Sequence, residues 1–271
     1  MRILKWSHSS FNLIANNPEH LFANTYAAPH YDSDSVFTFI PKNGCTSLRA
    51  SLAIANGFIP NLDKLDWIHN NNATLGMASF SELQKAKFTA IILRCPYRRI
   101  TSAYLDKFCR SRIDSKIYME HLGLSNAAQK SFNFLDFVRS LCLSKNLNFD
   151  VHWTPQISFM VYEKYDKYFN LDGDAKLIAP YLQKKCGFNF IDVTKITNNG
   201  TRFYEKVGSY EEYSKIDHSH IGKLILSNSA PSYASLFNGE IKEIIRSIYR
   251  EDIDLFSREL NSSSLLYPPT P

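Results

Sequence analysis

The sequence predicts an α/β protein: an open, largely parallel β-sheet flanked by helices, with a helical C-terminal portion. Three observations predict it. Residues 36–49, VFTFIPKNGCTSLR, pass from a short apolar run through a proline and an Asn-Gly turn into small residues that open a helical pattern. Residues 89–108, TAIILRCPYRRITSAYLDKF, repeat the passage: an apolar run ends at Arg94, Pro96 breaks it, and Ile100, Tyr104 and Phe108 then fall on one helical face. Near the C-terminus, Ile241, Ile244, Ile245 and Ile248 form the stripe of an amphipathic helix over 238–260.

The elements follow in order. Residues 1–34 are polar, Asn-rich and weakly periodic, and read as an arm packed on the domain. Residues 35–40 are the first strand and 45–56 the first helix, with Gly57 as its C-cap. A loop-rich crossover over 60–80 contains Trp67 and His69, and a short helix over 79–87 leads into the second strand. Residues 131–141 are helical on Phe134, Phe137, Val138 and Leu141. Residues 159–162 read as a strand, and 175–186 as a helix that ends at Gly187 and that Pro180 kinks or interrupts. Residues 262–271 are a tail. No repeat or low-complexity linker divides the chain, so 1–271 reads as a single domain, a size that buries a substantial core.

The net charge of +5 is a mild basic excess. Part of it is local, at Arg94, Arg98, Arg99, Lys107, Arg110 and Arg112, where a solvated basic helix face competes with an anion site. A sequence pI near 8.8 and the absence of a nucleic-acid motif argue against nucleic-acid binding. Five irregularly spaced cysteines with no C-x-x-C pair suit a reduced, intracellular protein. No apolar run is long enough for a transmembrane helix, and the first residues lack a signal-peptide core.

The chemistry concentrates where each strand meets its helix. In the first segment the backbone N–H groups of Asn43, Gly44, Cys45, Thr46 and Ser47 and the positive end of the helix dipole suit a phosphate or sulfate. Lys42 adds a full charge, and Thr46 and Ser47 add hydroxyls. This is a P-loop-like turn but not a Walker A loop, whose lysine follows its second glycine; a Mg-bound triphosphate is therefore a poor fit. In the second segment Arg94 stands at the C-terminal end of a strand, where open α/β sheets bind ligands, and Ser102 lies on the next helix. Arginine and serine in that relation suit a second phosphate.

Together the two segments resemble the nucleotide-binding motifs of sulfotransferases. Residues 36–49 are similar to the 5′-phosphosulfate loop. Residues 89–108 are similar to the 3′-phosphate motif, R-D-P-x-x-R-x-x-S-A-Y-x-x-K-F, with Cys95 where the family usually has an acid. The resemblance is to the Golgi carbohydrate sulfotransferases that modify chondroitin and dermatan. It runs from about residue 35 to 257, through His152-Trp153, residues 162–165, Asp172 and residues 249–256. It implies transfer of a sulfuryl group from 3′-phosphoadenosine 5′-phosphosulfate (PAPS) to a hydroxyl of a carbohydrate, whether a poly- or oligosaccharide or a glycolipid, with no metal. The Golgi relatives carry a membrane anchor ahead of the catalytic domain; this chain starts almost at the domain, which leads us to expect a cytoplasmic enzyme.

On this reading Lys42 is catalytic, and a small residue is all that position 45 requires. The base is one of eight histidines. His69 lies between the two motifs, where heparan uronyl sulfotransferases resemble this order, and is the expected base. His152, in H-W-T-P-Q, is the alternative base or an acceptor contact. Residues 194–202 resemble the late loop that closes over the nucleotide, with Lys195, Thr197 and Arg202 as candidate contacts; an ordinary surface turn is the competing reading. His218 and His220 are weak grounds for a metal. Trp67 and Trp153 are either a sugar platform or core. Two other readings stay open: a nucleotide-dependent kinase of related fold, and a non-catalytic module that binds PAPS or its product PAP (adenosine 3′,5′-bisphosphate). PAP binding beside ATP separates the first, and histidine substitutions separate the second.

Overall fold

Four strands form the main sheet of the protein, seen in a computed structural model that describes residues 2–7, 13–197, 204–207 and 212–268. They are β1 (Ala27–His30), β2 (Ser35–Thr38), β3 (Phe88–Leu93) and β4 (Lys167–Asn170), side by side in that order. β1 runs antiparallel to β2, and β2, β3 and β4 are parallel. β3 is the buried centre, which is why its sequence is a continuous apolar run rather than an alternating one. Its last pairs are Thr38↔Ile91 on one side and Leu93↔Asn170 on the other, so the chain leaves the ladder at Arg94.

The chain divides into two compact units. The first comprises Met1–Arg94, Pro155–Asn198 and Leu255–Ser264 and holds the whole main sheet. Its helices are Pro18–Thr25, Cys45–Ala55, the short turns Trp67–Asn70 and Asn72–Leu75, Phe80–Lys85, Leu171–Cys186 and Thr194–Thr197. The second comprises Cys95–Thr154, Asn199–Asp254 and Leu265–Pro271 and is mainly helical. Pro96–Tyr104 runs on as a π-helical turn over Leu105–Arg110, and His218–Leu226 packs against that turn. Here Gly222 is indispensable, since a Cβ on it would lie 2.4 Å from the Cys109 carbonyl oxygen. The core of this unit is aromatic: Tyr104, Phe108, Tyr118, Phe134, Phe137 and Trp153 are all buried and in ring contact. Trp153 is therefore core. Trp67, in the first unit, is half-buried and stacked on Phe58. A two-stranded parallel ribbon, β5 (Glu205–Val207) and β6 (Ser229–Pro231), completes the second unit.

Several elements differ from expectation for identifiable reasons. Within the stretch read as an arm, Asn17 caps a helix through its side chain and Pro18 sits at the first helical position, and β1 follows as the sheet's edge. Residues 159–162 are not a strand. Gln156–Phe159 is a 3₁₀ turn, and the place beside β3 is taken by β4, anchored by the Asp166 carboxylate that accepts from the Thr89 N–H at 2.8 Å. The helix expected from 175 starts at Leu171, where Asn170 caps it by accepting from the Asp172 N–H. It runs unbroken through Pro180; Pro180 and Lys176 are both exposed, so the carbonyl that the proline leaves unbonded lies on the solvent side. The C-terminal helix is two helices, Gly239–Ile248 and Arg250–Glu259, parted at Tyr249, whose buried hydroxyl donates to the Trp153 carbonyl at 2.6 Å. The expected stripe is nonetheless the buried one, with Ile241 and Ile245 inaccessible to solvent.

Candidate functional site

β2 delivers the chain into the loop as expected. The loop then adopts two left-handed residues, Lys42 at φ 70° and Gly44 at φ 75°. The conformation is ordinary for glycine and strained for lysine. Gly44 is the N-cap of Cys45–Ala55 and, having no side chain, offers no cap of its own to the first N–H groups of this helix. Lys42, Gly44, Cys45 and Thr46 are half-buried, while Asn43 and Ser47 are buried. A half-buried lysine before a helix N-terminus has the charge and the N–H donors that suit an anion.

Arg94 lies one residue beyond the end of β3 and is tied to that loop. Its Nη1 donates to the Lys42 carbonyl at 3.1 Å, and its Nε faces Asp172 at 3.3 Å. The Asn43 amide donates to the Ile92 carbonyl at 2.9 Å and to Gln156 Oε1 at 2.6 Å. Gln156 in turn accepts from the Arg94 N–H at 3.0 Å and donates to the Arg94 carbonyl at 2.9 Å. Asn43 Oδ1 is buried with no hydrogen-bond partner among the described residues. Thus the structure joins Lys42, Asn43 and Arg94 in one network. Of two further members, Asp172 had entered the sequence reading only as part of the resemblance, and Gln156 had no role in it. Gln156 stands in the quoted H-W-T-P-Q segment, but nothing in its spacing marks its amide.

The segment ahead of the late loop also comes to this helix. Ser47 Oγ accepts from the Val193 N–H at 3.2 Å and Ser51 Oγ from the Ile191 N–H at 2.8 Å. These bonds bring Thr194–Thr197, and hence the backbone of Lys195 and Thr197, to the first turns of Cys45–Ala55. Arg202 lies outside the described residues. His69 is exposed on the turn Trp67–Asn70. The buried Arg49, about 6 Å along the helix axis from Cys45, holds that turn by donating to the Ile68 carbonyl at 3.2 Å and to Asn72 Oδ1.

In the second unit Ser102 is half-buried on Pro96–Tyr104. Arg99 on the same helix is buried, and it braces both sides of His152 by donating to the carbonyls of Thr154 at 2.7 Å and Val151 at 3.1 Å. His152 Nδ1 lies 2.5 Å from Asp150 Oδ1, which also accepts from the His152 backbone N–H at 2.8 Å. Burial pushes the Asp150 carboxyl up. The hydrogen bonds and charge of His152 and the charge of Lys107 outweigh that and hold it below the usual aspartate value. An ionised Asp150 makes Nδ1 the protonated nitrogen and Nε2 the acceptor, the tautomer a general base requires. His218 and His220 open a helix capped by Asp217, with His218 Nδ1 3.0 Å from the Phe132 carbonyl. No group of three metal-ligating side chains occurs among the described residues.

The chain is similar to carbohydrate sulfotransferase 10 of Pongo abelii, 22% identical over 216 residues that make up 69% of this chain and 58% of that protein. The Gallus gallus protein of the same name is 24% identical over 70% of this chain and 60% of its own length, and the Homo sapiens one 22% over 69% and 58%. The chain thus spans about three-fifths of the length of these curated relatives. No solved structure gives a significant match. The sequence profile of the Sulfotransferase family matches residues 30–257, from the end of β1 through both candidate phosphate segments to the last helix, and the chain belongs to that family.

Proposed function

We propose that this protein transfers the sulfuryl group of PAPS to a hydroxyl of a carbohydrate. The observation that carries the reading is the junction of the two phosphate segments: Lys42 before a helix N-terminus and Arg94 at the neighbouring strand end, hydrogen-bonded to each other. The residues present suit the donor, since two separated anion sites match a molecule with phosphate groups at both its 5′ and 3′ ends. The carbohydrate acceptor is supported by the names of the similar proteins, all carbohydrate sulfotransferases.

In this reading the acceptor oxygen attacks sulfur, the bond from sulfur to the 5′-phosphate oxygen breaks, and PAP leaves with the bonding pair. Lys42 and the N–H groups of residues 45–47 stabilise the charge that gathers on the leaving phosphate. Arg94 holds the 3′-phosphate, and Ser102, Lys195, Thr197 and Arg202 are the further nucleotide contacts that the resemblance implies. The acceptor's proton goes to a histidine. The bond to Asp150 favours His152, while the turn held beside Cys45–Ala55 keeps His69 as the other assignment. No step calls for a metal. We also keep the cytoplasm as the place of action, on the footing of the five free thiols, and cell fractionation tests it. No helix among the described residues is long and apolar enough to cross a membrane.

Incubation with radiolabelled PAPS and a panel of neutral, amino- and uronic-acid-containing oligosaccharides tests the activity. Label should move to at least one sugar, without added Mg²⁺ and undiminished by EDTA. PAP binding with no transfer to any sugar would leave a non-catalytic binding module.

A further inference from the structure

We propose that Gln156 is a positioning residue for this reaction, a buried amide that holds the Lys42 loop and the Arg94 strand end in one fixed geometry. The proposal rests on the sulfotransferase reading above. Gln156 is 1% exposed, as is Asn43. Arg94 stands just past the last pairs of β3, so neither β2 nor β4 supplies a ladder partner for its backbone. The Gln156 amide takes a strand's place there, accepting from the Arg94 N–H at 3.0 Å and donating to its carbonyl at 2.9 Å. The same Oε1 accepts from Asn43 at 2.6 Å.

These bonds close a ring. It runs from the Arg94 backbone through Gln156 to Asn43, across one peptide to the Lys42 carbonyl, and back through the Arg94 guanidinium at 3.1 Å. Every member lies in one compact unit. A non-glycine residue in the left-handed region, such as Lys42, keeps that conformation only where its surroundings over-determine it, and the ring does so. An apolar side chain would fill the same volume but remove the bond to the Asn43 amide and both bonds to the Arg94 backbone. Gln156 touches both phosphate-contact segments through directed bonds and thereby sets the spacing between the two ends of the donor.

Wild-type transfer and PAP binding come first in the test; their failure counts against the sulfotransferase reading and not against Gln156. Given an active wild type, Gln156→Leu should lower kcat/KM for PAPS by about 10–100-fold, the scale of a displacement of about 1 Å in a reacting group. Because the effect acts through Lys42, the same substitution should cost less than about threefold when Lys42 is already alanine. A glutamine that only supports the fold would cost the same factor in both backgrounds. Gln156→Glu keeps the size and the acceptor oxygen but loses the donor to the Arg94 carbonyl; it carries the same cycle should the leucine variant not fold. In NMR spectra of the wild type, PAP should shift the Gln156 side-chain amide signals, and adenosine should not. Wild-type kcat/KM in a folded variant, equal losses in the two backgrounds, or amide signals indifferent to PAP would overturn the proposal.

Discussion

Lys42 combines a strained backbone, a half-buried charge and a carbonyl held by Arg94, so its side chain is aimed by the loop rather than free to wander. Lys42→Ala should lower kcat at saturating PAPS by about 10²–10³-fold, the size of effect seen on deleting one electrostatic contact to a developing anion. Unchanged turnover would remove the phosphosulfate role. His152 and Asp150 form the other residue-scale test. His152→Ala should cut kcat by about 10²–10⁴-fold with PAP affinity unchanged. Asp150→Asn should cut it by at least about tenfold, because the imidazole then loses the partner that fixes its tautomer. If His69→Ala produces the large loss and His152→Ala does not, the base is His69. Of these residues, Lys42 and Arg94 were legible because a strand end, a proline and a helix start mark them in one dimension. Gln156 was not, since an amide bonding a backbone 62 residues away leaves no periodic trace; Asp150 stands only two residues before His152, but a lone Asp-x-His spacing does not by itself mark a pair.

At the scale of elements, the two strand-to-helix passages were readable because each carries its own punctuation: apolar run, then proline or glycine, then helix. β4 was missed in favour of residues 159–162 because FMVY is a continuous apolar run while KYFN carries only two apolar residues, and what sets KYFN beside β3 is a long-range anchor, Asp166 against Thr89. The break at Tyr249 was hidden by a continuous helical pattern, and only the pull of the Trp153 carbonyl on its hydroxyl exposes it. Gly44 gives the clearest element-scale prediction. A Cβ there would meet left-handed backbone and stand 3.1 Å from Leu171 Cδ1. Gly44→Ala should therefore cost about 1–2 kcal/mol of stability, read as a melting temperature lower by several degrees, and should weaken PAP binding as well. A variant that melts with the wild type and binds PAP equally would show that the loop does not need this conformation.

For the molecule as a whole, Asp166 is the tie that makes its stability depend on acid. Its Oδ2 accepts from Arg2 at 2.5 Å and from the Thr89 N–H at 2.8 Å, so one carboxylate joins the N-terminal segment to β3 at the entry to β4. Burial pushes this carboxyl up, but Arg2 and Thr89 outweigh it and hold it below the ordinary value of 3.8. A depressed carboxyl stabilises the fold above its unfolded value and loses that contribution as pH falls through the folded one. Urea midpoints of wild type and Asp166→Asn should thus differ most above about pH 5 and draw together as pH falls below the ordinary aspartate range; parallel curves throughout would contradict the tie. The central claim is that the Lys42 loop and Arg94, both in the sheet-bearing unit, select a nucleotide phosphorylated at both ends. Calorimetric titration with PAP beside ADP and AMP tests it most directly. The account predicts that PAP binds more tightly by about 1–3 kcal/mol, the worth of a charge-assisted arginine contact to the 3′-phosphate, and that Arg94→Ala removes most of the difference. Equal affinities for PAP and ADP would contradict it.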